Sequence, residues 1–147
     1  MIYSVGSIFL DHIIKINSFP KKPIKVLAEG IEKRLGGSAA VASITIKKLG
    51  IDSSFIGRLG DDDVSKYLKE ELNTFKIKHK DIVTINGAKS SQSYVYEDKQ
   101  GERLLAAFNE KKLLNNKKLP KISFAKNTTF MCDLRWIEAT LYVAKNC

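Results

Sequence analysis

The stretch 39–49 is apolar at seven of its eleven positions, opens after Gly36-Gly37-Ser38 and closes on Gly50. Glycines before it, a hydroxyl residue at the expected N-cap and a glycine just after it are helix start and stop signals. The pattern predicts a helix capped by Ser38 and buried over its first turns. Short apolar runs of strand character stand on either side, at 2–10 and 54–56. Further on, Val64, Tyr67, Leu68, Leu72 and Phe75 recur at helical spacing behind Asp61-Asp62-Asp63, which place negative charge where a helix dipole favours it. Residues 128–134 read as another buried strand, and Ile137, Leu141 and Ala144 as the apolar stripe of a last helix. Strands and helices alternating in this way argue for an α/β fold: an open, mostly parallel sheet with helices on its faces.

Two segments break the alternation, near 15–35 and 90–108. In the first, Pro20-Lys21-Lys22-Pro23 mark a turn and 24–35 mix polar and apolar residues like exposed strands. In the second, 93–97 and 103–108 flank a turn at Asp98-Lys99-Gln100-Gly101 and read as a hairpin. Both are expected to form one small separate β layer on a single domain covering 1–147. Ligands of open α/β sheets sit at the carboxyl ends of the strands. Asp11, expected at the end of the strand 2–10, would therefore meet Gly36, Gly37 and Arg135 there. Arg135 is a bidentate fork for a phosphate or carboxylate, or equally a surface partner of Asp133 or Glu138. Asp61 to Asp63 read as an acidic helix start and not as a metal site, because consecutive side chains point in different directions.

Composition narrows the function classes. Of 147 residues, 44% are hydrophobic and 28% charged, a balance that excludes a disordered or low-complexity chain. The net charge of +9 brings nucleic acid into view, but the lysines are scattered. Their densest stretch, 111–126, is interleaved with Leu113, Leu114 and Leu119 like a solvated connector, so nucleic acid is not expected as a partner. No apolar run approaches the roughly 18 residues of a membrane span, and the N-terminus has no basic region of a secretory signal, so a cytoplasmic location is expected. Cys132 and Cys147 lie far from His12 and His79 in sequence, and neither a zinc site nor a disulfide framework is indicated.

Taken together, Val5-Gly6 with Asp11, the run GGSAAVASITIKKLG at 36–50, FIGRLGDDDVSKYLKEEL at 55–72 and DKQGERLL at 98–105 resemble the N-terminal half of a ribokinase/PfkB-family carbohydrate kinase. The segment DLRWIEA at 133–139 is similar to one found in some branches of that family. The resemblance implies a Rossmann-like, ribokinase-like body with a β-sheet lid, truncated in this chain. It also implies ATP-dependent phosphorylation of a sugar or sugar-like hydroxyl, and a homodimer formed through the lid. Asp11 would bind sugar hydroxyls, and the backbone at Gly36 and Gly37 would pack against the sugar. A carboxylate accepting from hydroxyls beside side-chain-free backbone agrees with that chemistry. ATP and Mg²⁺ are implied for the complete family enzyme, whose base lies in a Gly-Ala-Gly-Asp run. Here no glycine follows Gly101, and no Gly-x-x-x-x-Gly-Lys-Ser/Thr loop occurs. The expectation is a sugar-recognition half that is inactive alone; the alternative is a non-catalytic sugar-binding or interaction module. Two positions depart from the family pattern: Val41 stands where asparagine is usual, and Ser65 where glycine is.

Overall fold

The computed structural model describes residues 1–147. In chain order the elements are β1 (Ile2–Val5), β2 (Phe9–Lys15), β3 (Gly30–Gly36), α1 (Ser38–Lys48), β4 (Ser53–Ile56), β5 (Arg58–Leu59), α2 (Asp63–Thr74), β6 (Val83–Thr84), β7 (Gln92–Glu97), β8 (Arg103–Phe108), α3 (Lys111–Leu114), β9 (Thr129–Cys132) and α4 (Ile137–Asn146). The central sheet has the order β4-β1-β9 and is parallel throughout, with Val5 opposite both Ile56 and Cys132. Adjacent residues of β4 point to opposite faces, as a strand requires. Phe55 joins a core with Ala40, Ile44, Leu68 and Leu72 beneath α1 and α2. Ile56 joins Val5, Trp136, Ala139 and Val143 on the α4 side. Both faces are thus covered at β1 and β4, as parallel sheets require, whereas β9, which the sequence suggested would be buried, is an edge strand with Thr129 and Met131 exposed. A second sheet, in the order β3-β2-β7-β8, forms the lid, with β2 and β7 parallel and the outer pairs antiparallel.

Four local expectations are corrected. The apolar run 2–10 is two strands in different sheets. Gly6 N–H still donates to Ile56 O (2.9 Å), but its φ of 148° turns the chain out of the central sheet, and Phe9 begins the lid. Asp11 therefore sits near the start of lid strand β2 and not at the end of a core strand. The flap carries no strand until Gly30, since Pro20 and Pro23 have no N–H to give a ladder. The cap of α1 is Gly37 without a side-chain bond, and Ser38 is the first helical residue, its N–H donating to Ser7 Oγ (3.2 Å). In α4, Ile137 and Leu141 are 61% and 53% exposed, and the buried face is Ala139 and Val143. That helix is apolar on two sides, so spacing alone did not single out the covered one.

Candidate functional site

The lid sheet has two unlike faces. In register, one face carries Ile31, Lys33 and Leu35 on β3, Leu10, His12 and Ile14 on β2, Tyr94 and Tyr96 on β7, and Leu104, Ala106 and Phe108 on β8. The other carries Asp11, Arg34, Glu32, Ser93, Glu97 and Arg103, with Ile13, Val95 and Leu105 between them. Lys15 and Arg34 both pair with Glu32, and Arg103 with Glu97 (2.6 Å), which ties this polar face together. The Lys15 and Arg34 hydrogen bonds hold the Glu32 carboxyl below its usual range.

Asp11 is fixed on the polar face by two neighbours. Ser93 Oγ donates to its Oδ1 at 2.5 Å, across the β2–β7 pairing. On the other side, Gly36 leaves the space into which the carboxylate fits: a Cβ there would fall 2.0 Å from Asp11 Oδ2. A carboxylate has about four acceptor sites, so a single hydroxyl donor leaves most of its capacity for a ligand.

One side-chain step toward the body, roughly 6–7 Å along each strand, the same face continues from Asp11 to Phe9 and from Ser93 to Ser91. It then enters a cavity of ≈ 160 Å³ at the carboxyl edge of the central sheet. The body side of this cavity is formed by Arg58, Arg135 and Trp136. Arg58 is held in place, its Nη1 donating to Leu114 O (2.8 Å) and its guanidinium lying 5.3 Å from the Trp136 ring centre. Burial lowers its pKa, opposed by the charge of Glu138. Glu138 itself is engaged by Lys117 at 2.5 Å, and Arg135 takes part in none of the ion pairs.

Behind the cavity, Asp133 closes the start of α1. Its Oδ2 accepts from Ser7 N–H (2.9 Å), Ala39 N–H (3.2 Å) and the Ser7 hydroxyl, and its Oδ1 accepts from Arg135 N–H (2.9 Å). Gly37 packs onto the same corner, with φ 93° and no room for a side chain. A Cβ would fall 2.6 Å from Ser7 O and 2.7 Å from Ile8 Cα. Asp11 with Gly36 thus sits on the lid side, Arg135 lies across the cavity, and Gly37 lies at its rim. Ser93, Ser91, Asn109 and Arg58 escaped the sequence reading, and Asp133 entered it only as a surface partner of Arg135. Arg58 was in view only as part of the run 55–72, and the partners of Asp133 at the start of α1, Ser7 and Ala39, are more than ninety residues away in the chain.

The residues present do not fit Mg²⁺-ATP. The start of α1 is filled by Asp133, and that of α2 by Asp62, whose carboxylate accepts from Ser65 N–H (3.1 Å). No three His, Cys, Asp or Glu side chains are placed to hold a metal ion. The chain's own side chains place a carboxylate on the lid and two guanidinium groups on the cavity wall. No helix is long and apolar enough to cross a membrane.

Comparison with known proteins agrees with this architecture. A crystal structure from Agrobacterium tumefaciens, provisionally described as a ribokinase, superposes with a TM-score of 0.84 at 26% identity over 95% of this chain and 46% of its own. The Methanocaldococcus jannaschii nucleoside kinase superposes at 0.77 with 21% identity, over 99% of this chain and 48% of its own, a likeness of fold. In sequence, fructokinase-2 of Solanum lycopersicum is 29% identical over 103 residues, 70% of this chain and 30% of that protein. The chain thus spans less than half of these solved structures and about a third of that curated relative. The model of the pfkB family carbohydrate kinases matches residues 1–130. With the fold, the lid and the motif order in agreement, the chain belongs to the pfkB family of carbohydrate kinases.

Proposed function

We propose that this chain supplies the substrate-recognition part of an ATP-dependent kinase acting on a hydroxyl of a sugar or sugar-like compound. Asp11 accepts from ligand hydroxyls, while Gly36 and Gly37 keep that corner free of side chains. The observation that carries the reading is the posture of Asp11: a carboxylate on the polar face of the lid, oriented by Ser93 and one step from the cavity. Relatives named as fructokinase and nucleoside kinase support the substrate class. A ribokinase of the same fold, from Arabidopsis thaliana, was solved with ribose and ATP. ATP and Mg²⁺ are assigned to residues that this chain does not contain, so the 147-residue chain binds without turning over. A cytoplasmic location and a homodimer through the apolar lid face belong to the same reading.

Ligand-observed NMR on the chain with fructose, ribose and inosine tests it, alongside an ATP/Mg²⁺ turnover assay. Saturable binding of at least one compound, lost in Asp11→Ala, with no turnover is the expected result. Absence of binding to every compound would return the chain to an interaction module.

A further inference from the structure

We propose that the cavity between Arg58 and Arg135 holds an anionic group, phosphate or carboxylate, carried by the ligand whose hydroxyls Asp11 receives. The proposal rests on the sugar-recognition reading and adds a charge to the substrate. Two guanidinium groups from separate elements line one small cavity, and no carboxylate lies on its wall. The nearby acids are committed elsewhere: Asp133 to Ser7 and Ala39, Glu138 to Lys117, and Glu110 to the Lys89 N–H. Arg58 is partly withdrawn from water without a bonded carboxylate, and an anion in the cavity would supply the charge partner that its guanidinium lacks.

Donor and acceptor counting leads to the same conclusion. Ser91 Oγ donates to Asn109 Oδ1 at 2.8 Å, which occupies the carboxamide oxygen and leaves its NH₂ as a donor. Arginine only donates. This end of the site therefore offers mainly donors, which suits an acceptor-only anion better than a neutral hydroxyl that both gives and takes. Asp11, one step away on the lid, offers only acceptors. A ligand bearing hydroxyls at one end and an anion at the other matches the two ends together. Arg58 is already immobilised by Leu114 O and the Trp136 ring, so little side-chain freedom is lost when it binds. Arg135 is exposed and takes part in none of the ion pairs.

Trp136 is the chain's single tryptophan and lines the cavity, so its fluorescence reports occupancy. The test titrates the full chain with fructose, fructose 6-phosphate, gluconate and inorganic phosphate at constant ionic strength. Wild type, Arg135→Gln and Arg58→Lys are compared. At least one anionic probe is expected to bind about tenfold or more tighter than fructose, and Arg135→Gln to remove that advantage with an unchanged melting temperature. A preference for fructose 6-phosphate identifies phosphate, and a preference for gluconate identifies carboxylate. Inorganic phosphate binding that depends on Arg135, with no compound engaging Asp11, would uphold the anion site while contradicting the sugar reading. Fructose binding as tightly as the anionic probes, anion binding indifferent to Arg135, or no saturable response to any anionic probe would overturn the proposal.

Discussion

The carboxylate of Asp11 occupies the space that a side chain on Gly36 would need, 2.0 Å from where its Cβ would lie. The two residues are diagonal neighbours on one face of the β2–β3 pair, where Asp11 is opposite Arg34 and Gly36 opposite Phe9, so Gly36 holds the carboxylate's place as much as Ser93 holds its angle. Gly36→Ala should therefore displace Asp11 and weaken sugar binding as Asp11→Ala does. In an Asp11→Ala background the same alanine meets empty space. Urea unfolding of the two single variants and the double variant should give a coupling energy of about 0.5–3 kcal/mol. Additive losses would mean the two residues do not share that space.

Two of the three consecutive aspartates, Asp62 and Asp63, should respond very differently to removal. Asp62 caps α2 through Ser65 N–H and also accepts from the N–H (2.9 Å) and Oγ (2.6 Å) of fully buried Ser90. Losing a cap costs about 0.5–2 kcal/mol, and a stranded buried donor adds about 1–3 kcal/mol. Asp63 makes only an exposed pair with Lys66 (2.8 Å). Asp62→Ala should lower the urea midpoint markedly and Asp63→Ala hardly at all; equal losses would refute this division of labour.

The alternation of strand and helix was legible in the sequence because hydrophobic period and glycine stops are local signals. The lid hairpin showed itself through the turn Asp98 to Gly101. What stayed hidden depends on partners far along the chain. Nothing near Gly6 reveals that its N–H ends the central sheet while Phe9 enters another, and this moved Asp11 from core edge to lid. The bond from Ser7 to Asp133 spans 126 positions, so no spacing rule reaches it. Arg58 stood unremarked within the run 55–72, because only the packed structure lays it against Trp136. In α4 the stripe of Ile137 and Leu141 was visible, but which apolar side is covered is a tertiary fact.

The apolar lid face is the expected association surface. Ile31 and Leu104 are 69% and 59% exposed there, beside Tyr94, Tyr96 and Phe108, and β8 is an open edge. Exposed strands of this kind pair or stack unless a charge interrupts them. Sedimentation should show concentration-dependent association that Leu104→Lys reduces and Leu105→Lys, on the opposite face, does not. A monomer at every concentration, or equal effects of both lysines, would contradict this.

The two thiols should differ in reactivity. Burial pushes the Cys132 thiol up, and the charge of Asp133 acts in the same direction, while Cys147 is exposed. Because the folded state holds the Cys132 proton more tightly, its stabilising contribution is full below the unfolded thiol pKa and is lost as pH rises through the raised folded value. A thiol reagent at pH 8 should label Cys147 quickly and Cys132 only slowly. Alkaline melts should fall less steeply in Cys132→Ser. Equal labelling rates in the folded chain would rule this out.

Calorimetric titration of wild type and Asp11→Asn with the sugar that binds best tests most directly whether Asp11 recognises the ligand. Replacing one carboxylate oxygen with an amide keeps the shape but removes the charge that strengthens hydrogen bonds from hydroxyls. An affinity loss of about 1.5–3 kcal/mol is expected, with a melting temperature close to wild type. An Asp11→Asn variant that binds the sugar as tightly as wild type would show that Asp11 is a lid residue and that recognition lies elsewhere.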